Sequence, residues 1–256
     1  MIRTTLTLLA TALSTAALAQ DTTQMETDRP DQTETPVLVR RGYFQAEIGV
    51  LRENQDGRNY LLSAPTALLK YGISRRFEFR LEATRYSQYL HLIPDPVTIS
   101  GFAPIEVGTK VALFDEKGAR PQTSFIGHIG ITALSSEEFK PQEPIASLRF
   151  AMQNTLSRVV KLGYNIGLDW SGESSSPDFV YTFAPGFDIS EKWYAFIEVF
   201  GSIGKEDAHD HNVDAGIAYR VNRNLQLDIS AGKGLSKESS ESFLSAGISF
   251  RLPVRK

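Results

Sequence analysis

The chain has 256 residues, with 27 Lys and Arg against 30 Asp and Glu, a formal net charge of −3 and no cysteine. That balance excludes the strongly basic surface of a nucleic-acid binder, and the missing cysteines exclude both a disulfide framework and a lipid-anchored lipoprotein. Beyond the first nineteen residues no stretch approaches the roughly 18 consecutive apolar residues of a helical span, so a membrane-embedded form must cross with strands.

In chain order, residues 1–19 read as a secretory signal peptide. Arg3 supplies the positive n-region, Leu6 to Leu18 the apolar stretch, and Ala17-Leu18-Ala19 the small-x-small cleavage site, so the mature chain is expected to begin at Gln20. Residues 20–41 are polar, rich in Thr, Asp and Pro, and carry no sustained period. They read as a periplasmic arm or a plug segment tucked into a barrel mouth, with Asp28, Arg29 and Asp31 among its charged groups.

From residue 42 to 256 apolar and polar residues alternate. In Asn224-Leu-Gln-Leu-Asp-Ile-Ser-Ala-Gly, Leu225, Leu227, Ile229 and Ala231 fall on one face, and Gln226, Asp228, Ser230 and Gly232 on the other. A period of two is a β-strand. The spacing predicts twelve strands, at 42–53, 60–72, 77–88, 103–114, 122–134, 145–156, 158–170, 178–189, 192–203, 212–222, 224–234 and 242–252.

The connections alternate between long and short. Long polar runs include His91 to Pro96, Ser135 to Pro144, Ser171 to Pro177 and Ser236 to Ser242, whereas Ile73 to Arg76, Ser157, Ser190 to Lys192 and Asn222 to Asn224 are tight. Outer-membrane barrels have short periplasmic turns and longer external loops. The run Glu116 to Pro121 is longer than that parity requires.

One face of the strands is apolar or aromatic, as in Phe44, Ala46, Ile48 and Val50, or Leu162, Tyr164, Ile166 and Leu168, and Trp170, Tyr181, Trp193 and Tyr219 lie near strand ends where aromatic girdles belong. The other face carries Glu47, Glu78, Arg80, Glu82, Glu106, Lys110, Arg149, Lys161, Asp169, Glu198, Asp214, Arg220 and Asp228, with Gln45, Gln153, Asn165, Asp188, Gln226 and Lys233 beside them. Alternation alone fits an inside-out membrane barrel or a soluble cup with its oily face inward. Loop parity, strand length, the leader and the absence of cysteine favour a closed antiparallel up-and-down transmembrane β-barrel. On that reading the thirteen charged residues line the lumen, as a structural ladder of ion pairs or as a path for solute.

No catalytic, metal or cofactor site is expected. His128 falls on a strand near Ser124 and Thr132, but its phase turns it to the lumen, away from the lipid-facing rim where a lipase-like dyad would have to act. Asp207, His209, Asp210 and His211 fall in a long external connection and read as a solvated acidic loop rather than a metal site.

Several segments resemble one family. Glu26-Thr-Asp-Arg-Pro-Asp-Gln-Thr-Glu-Thr-Pro with Arg41-Gly-Tyr-Phe-Gln-Ala-Glu-Ile-Gly is similar to the opening of bacterial outer-membrane barrels labelled as transporters and linked by name to the meta-pathway of phenol degradation. Pro104-Ile-Glu-Val-Gly-Thr-Lys, Leu162 to Trp170, Glu198-Val-Phe-Gly, Asp214 to Tyr219 and Ser245-Ala-Gly-Ile-Ser-Phe continue the likeness to the end. The resemblance implies a Gram-negative outer-membrane location and a porin-like passage for small solutes, hydrophobic or aromatic ones among them. It also implies outer-membrane lipid and the barrel-assembly machinery as partners, with no nucleic acid. Phe250 is the terminal aromatic such machinery reads, although Arg251-Leu-Pro-Val-Arg-Lys follows it. A structural or adhesive barrel with a salt-bridge-filled lumen is the alternative, and a lipid-modifying enzyme a more distant one.

Overall fold

The computed structural model describes residues 24–205, 209–237 and 239–254, so the leader at 1–19 lies outside the described residues. The strands are β1 (Tyr43–Asn54), β2 (Tyr60–Gly72), β3 (Phe77–Leu90), β4 (Val97–Phe102), β5 (Ile105–Phe114), β6 (Gln122–Ile131), β7 (Ala146–Thr155), β8 (Val160–Trp170), β9 (Asp178–Asp188), β10 (Trp193–Ile203), β11 (His209–Asn222), β12 (Leu225–Gly234) and β13 (Ser242–Pro253). Each pairs antiparallel with its neighbours, and β1 closes on β13 from Tyr43↔Pro253 to Asn54↔Ser242. Closure of β1 on β13 pairs every long strand on both sides and leaves only the far edge of the short β4 without a strand partner among the described residues; paired edges are the condition for placing backbone amides in hydrocarbon.

The wall is twelve strands thick in circumference; the thirteenth element is a split of the fourth. β4 and β5 both lie against β3, β4 over Arg85↔Phe102 to Leu90↔Val97 and β5 over Phe77↔Val111 to Glu82↔Glu106. Ala103-Pro104 separates them, and proline has no N–H to give the ladder. The periodicity places 89–102 in the connection; the structure instead carries the hairpin above the break. The span expected at 122–134 ends at Ile131 and runs into single 3₁₀ turns at Thr132–Leu134 and Glu137–Phe139. β11 begins at His209, three residues before the pattern becomes regular.

The two faces are inverted relative to a soluble protein. Outward residues such as Ile197 and Leu244 are each 54% exposed, while Glu78, Arg80 and Lys110 on the inner face are 0% exposed. The oily face therefore looks out and the charged face encloses the lumen. Lys233 departs from its expected place. The inward phase of β12 runs through Gln226, Asp228, Ser230 and Gly232, so Lys233 stands exposed on the outer face opposite Val213. Trp193 and Tyr219 pair across strands with ring centroids 4.8 Å apart, forming an aromatic contact at the short-turn end.

Replacing Ile197 with Arg at mid-strand on the outer face is expected to cost about 2 to 4 kcal/mol of folding stability in a bilayer. Heat-modifiable gel mobility across a urea series checks this, with a polar substitution of Gln153 on the inner face as the near-neutral control.

Candidate functional site: a plugged polar lumen

Residues 24–41 run inside the barrel. The segment rises from the short-turn end, where the Met25 amide donates to the Arg223 carbonyl at 3.1 Å, and returns to the same end, where Arg41 bridges Gly72. Gly42, at φ +77°, then turns the chain into β1, a conformation glycine adopts without steric cost. Pro and Asp suit this path because they disfavour regular helix and strand and leave backbone groups free for the wall, and Thr adds hydroxyls such as that of Thr33, which donates to Glu198.

The centre of the plug is Asp28. On the wall, Lys70 of β2 lies directly opposite Arg80 of β3, two like charges in a cross-strand pair, which is unfavourable alone. Asp28 resolves it. Its Oδ2 accepts from Lys70 Nζ at 2.7 Å and Arg80 Nη1 at 3.0 Å, and its Oδ1 from Lys110 Nζ at 3.0 Å and the Thr35 amide at 3.0 Å. Burial alone would raise the Asp28 carboxyl, but Lys110, Lys70 and Arg80 together outweigh it and hold the group well below the usual carboxylate range.

A second layer surrounds the first. Glu47 accepts from the amides of Asp28 at 2.9 Å and Arg29 at 3.0 Å, and pairs with Lys70. Glu78 accepts from the Val39 amide at 2.5 Å and faces Arg80 Nη1 at 3.3 Å, and Arg80 Nη2 reaches Glu34 at 2.7 Å. Ser124 donates to the Pro36 carbonyl at 2.6 Å. Arg80 Nε donates to His128 Nε2 at 3.1 Å, which requires Gly108 in the wall, because a Cβ there would lie 1.8 Å from the imidazole.

The opposite wall holds the plug by hydrogen bonds. Glu198 accepts from the Gln32 amide at 2.7 Å and from the Thr33 hydroxyl, and Asn165 exchanges bonds of 2.7 and 3.0 Å with Glu34. Arg29 lies over the cross-strand glycine pair Gly49 and Gly247 and bonds Asp228 and Ser245, each at 2.8 Å. Side chains at either glycine would occupy the space of the guanidinium. Among the described residues Asp31 has no such cation: burial first, then Glu198, Asp214 and Asp28, push its carboxyl well above the ordinary value.

Each expected lumen residue lies on the inner side of the wall. Glu47, Glu78, Arg80, Lys110, Glu198 and Asp228 bind the plug or one another, Lys161 pairs with Glu26 at 2.9 Å, and Arg220 with Asp188 at 2.7 Å. Asp214 stands directly across from Glu198. Glu82, Glu106, Arg149 and Asp169 line an open chamber of about 300 Å³ above the plug tip, with Arg149 3.8 Å from Glu34 and Glu82 3.8 Å from Arg80. Glu106 and Asp169 also border a wider vestibule of about 580 Å³ with Tyr86 and Phe139, towards the long loops. At the other end a recess of about 680 Å³ opens beside Glu26, Lys161 and Arg220. Glu82 faces Glu106, and Asp169 faces Asp178, as directly opposed carboxylates. The Lys70 and Glu34 anchors escaped notice because Lys70 is one cation between Leu69 and Tyr71 and Glu34 belongs to an aperiodic segment.

His128 is the lumen hydrogen-bonding histidine that its phase predicts, whereas the loop expected at His209 to His211 is corrected. His128 meets Arg80, Ser147 at 3.4 Å and Glu82 at 3.4 Å, while Ser124 serves the plug. His209, Asp210 and His211 begin a strand rather than occupying a loop, which sends the imidazoles to one face and Asp210 to the other, beside Asn212 and Ser239. Tyr181 takes the His211 ring at 2.8 Å, and Ser236 and Ser239 reach only its backbone. Asp207 lies outside the described residues, and among those described no three His, Asp or Glu side chains converge as a metal site.

A closed barrel with an oily exterior, a charged interior and its own N-terminal segment threaded through the lumen defines a plugged β-barrel of membrane-spanning design. The chain belongs to the family described as "Putative MetA-pathway of phenol degradation", which it matches over residues 27–252. Among solved structures it is similar to an outer membrane channel from Pseudomonas putida F1, at 12% identity and a TM-score of 0.69 over 89% of this chain and 100% of that one. It is also similar to the NanC porin, at 12% identity and a TM-score of 0.52 over 82% of this chain and 100% of that one. No curated protein sequence matches it. At these identities the likenesses establish the fold.

Asp28→Asn and Asp31→Asn should act in opposite directions on plug docking. Removing one charge from a buried cluster leaves Lys70, Arg80 and Lys110 undercompensated and costs about 3 to 5 kcal/mol, whereas Asp31→Asn removes an uncompensated carboxylate and tightens docking. Since the chain has no cysteine, maleimide labelling of Thr35→Cys reports the plug directly: faster in the first background, slower in the second.

The pH dependence follows from the two signs. Asp28 is depressed, so its contribution is present above the free carboxyl value of about 4 and is lost only below it. Asp31 is raised, so its contribution is full below about 4 and is lost as pH climbs through its docked value. Labelling of Thr35→Cys, taken relative to an exposed cysteine that cancels the pH dependence of the thiolate itself, should therefore slow as pH falls from 7 towards 5, and Asp31→Asn should abolish that additional slowing.

Proposed function

We propose that the protein is an outer-membrane channel that admits small solutes, with residues 24–41 as a plug in its lumen. The observation that carries this reading is the arrangement of spaces along the barrel axis. A vestibule and chamber open from the long-loop end down to Asp31 and Gln32, a recess opens from the short-turn end, and between them stands a segment held by side-chain bonds rather than by strand pairing. Aqueous cavities lined by charge have no use in a merely structural wall, since each buried charge costs desolvation. The family's link to phenol degradation favours small aromatic solutes, and the Tyr86 and Phe139 rings, 5.4 Å apart in the vestibule wall, offer such a solute an apolar face. The secretory leader, loop parity and lipid-facing exterior support the outer membrane, with the short turns on the periplasmic side and the assembly machinery reading the β13 end.

A structural barrel is the second reading, favoured by one observation: around Asp28 the lumen is filled. Planar bilayer recording separates the two. On the channel reading, wild-type protein gives small conductance steps. Glu78→Gln, Arg80→Gln or Lys110→Gln alters their size and frequency, and deletion of residues 24–36 enlarges them severalfold. Silence from every correctly folded variant, the deletion included, would sink the channel and leave the structural barrel.

A further inference from the structure

The two rims of the barrel carry opposite charge. The turns at 73–76, 115–121, 156–159, 189–192 and 223–224 hold seven Lys or Arg against three Asp or Glu, whereas among the described residues the loops at the other end hold four against seven. Solvation alone gives no reason for the signs to segregate by end.

Position sharpens the contrast. Arg75 and Arg76 are exposed between outward Ile73 and Phe77, which are 53% and 50% exposed. Arg158 is exposed between Leu156 and Val159, Lys192 between Ile189 and Trp193, and Arg223 two residues beyond Val221, all of them outward apolar groups. The Trp193 and Tyr219 pair lies at the same level. Each cation thus sits where the oily belt ends, at the depth of the headgroups, and its stem can lie along apolar surface while its head reaches outward. Guanidinium groups there match phosphate oxygens with paired N–H donors. The carboxylates of this rim are concentrated in one turn, where Glu116 is occupied by the Thr155 amide and hydroxyl at 2.7 and 2.8 Å.

We propose that the short-turn rim is a binding surface for anionic phospholipid, with Arg75, Arg76, Arg158, Lys192 and Arg223 engaging the phosphates of the adjoining leaflet. The basic rim holds the barrel at fixed depth and gives it a shell of phosphatidylglycerol-type lipid on the side from which the plug enters. This rests on the membrane-spanning reading above and not on solute passage.

The test reconstitutes the full chain into vesicles of phosphatidylethanolamine and phosphatidylglycerol at three to one, followed by release into native mass spectrometry. Wild type should retain phosphatidylglycerol severalfold over its share of the bilayer, and 0.5 M salt should lower that enrichment. Combined Arg75→Gln, Arg76→Gln, Arg158→Gln and Arg223→Gln should bring retention to the bulk ratio while heat-modifiable mobility stays intact. The control Arg58→Gln with Lys140→Gln at the opposite rim should leave it unchanged. Bulk-ratio retention by wild type, or full enrichment in the quadruple variant, overturns the proposal, and the latter would direct the search to an anionic periplasmic partner. Failure of wild type to insert at all would instead overturn the membrane-spanning reading itself.

Discussion

The structure depends on the carboxylate of Asp28. Three cations from β2, β3 and β5 point at one place in a narrow lumen, and two of them are cross-strand neighbours. Their attraction for Asp28, the one anion all three share, adds to the pairs with Glu47, Glu78 and Glu34 and offsets the desolvation cost of burying them. That anion comes from outside the wall. The plug is thus part of the charge balance of the barrel, and the cations that fix it would repel one another in its absence.

From that constraint the division of the lumen follows. Around Asp28 cations and carboxylates are matched and the space is filled, whereas Glu198, Asp214 and Asp31 gather as carboxylates against the opposite wall; above the plug tip, Glu82 faces Glu106 and Asp169 faces Asp178 across neighbouring strands. Directly opposed like charges are tolerated where water can screen them and are expensive where it cannot. The β1–β5 wall clamps the plug through one dense charge cluster, whereas the β8–β12 wall joins it through hydrogen bonds of Asn165 and Glu198 and two separate ion pairs, Lys161–Glu26 and Asp228–Arg29.

Most of the wall was legible residue by residue. Strands such as Val160–Trp170 and Leu225–Gly234 alternate without interruption, and the alternation fixed which side chains share a face. It misplaced Lys233, which a count of two from Gln226 puts outward. It lost the hairpin above Pro104, because Val97 to Phe102 is short and flanked by prolines. It also put His209 to His211 in a loop, because polar residues at a strand end look like a connection. The partners within the lumen were less legible. His128 was placed on the correct face but beside the wrong serine, since register between β6 and β7 sets Ser147 opposite it, and register is not a property of either strand alone.

By itself the sequence determined a closed all-β wall, two chemically distinct faces and an irregular polar segment ahead of β1, because period, composition and turn chemistry are local. Only the tertiary structure decided which face is inside, where the segment goes and which charges meet. Those outcomes depend on closure of β1 against β13 and on cross-strand register, which bring Asp28 to Lys110 and Arg29 to Asp228 across separations that no local pattern encodes.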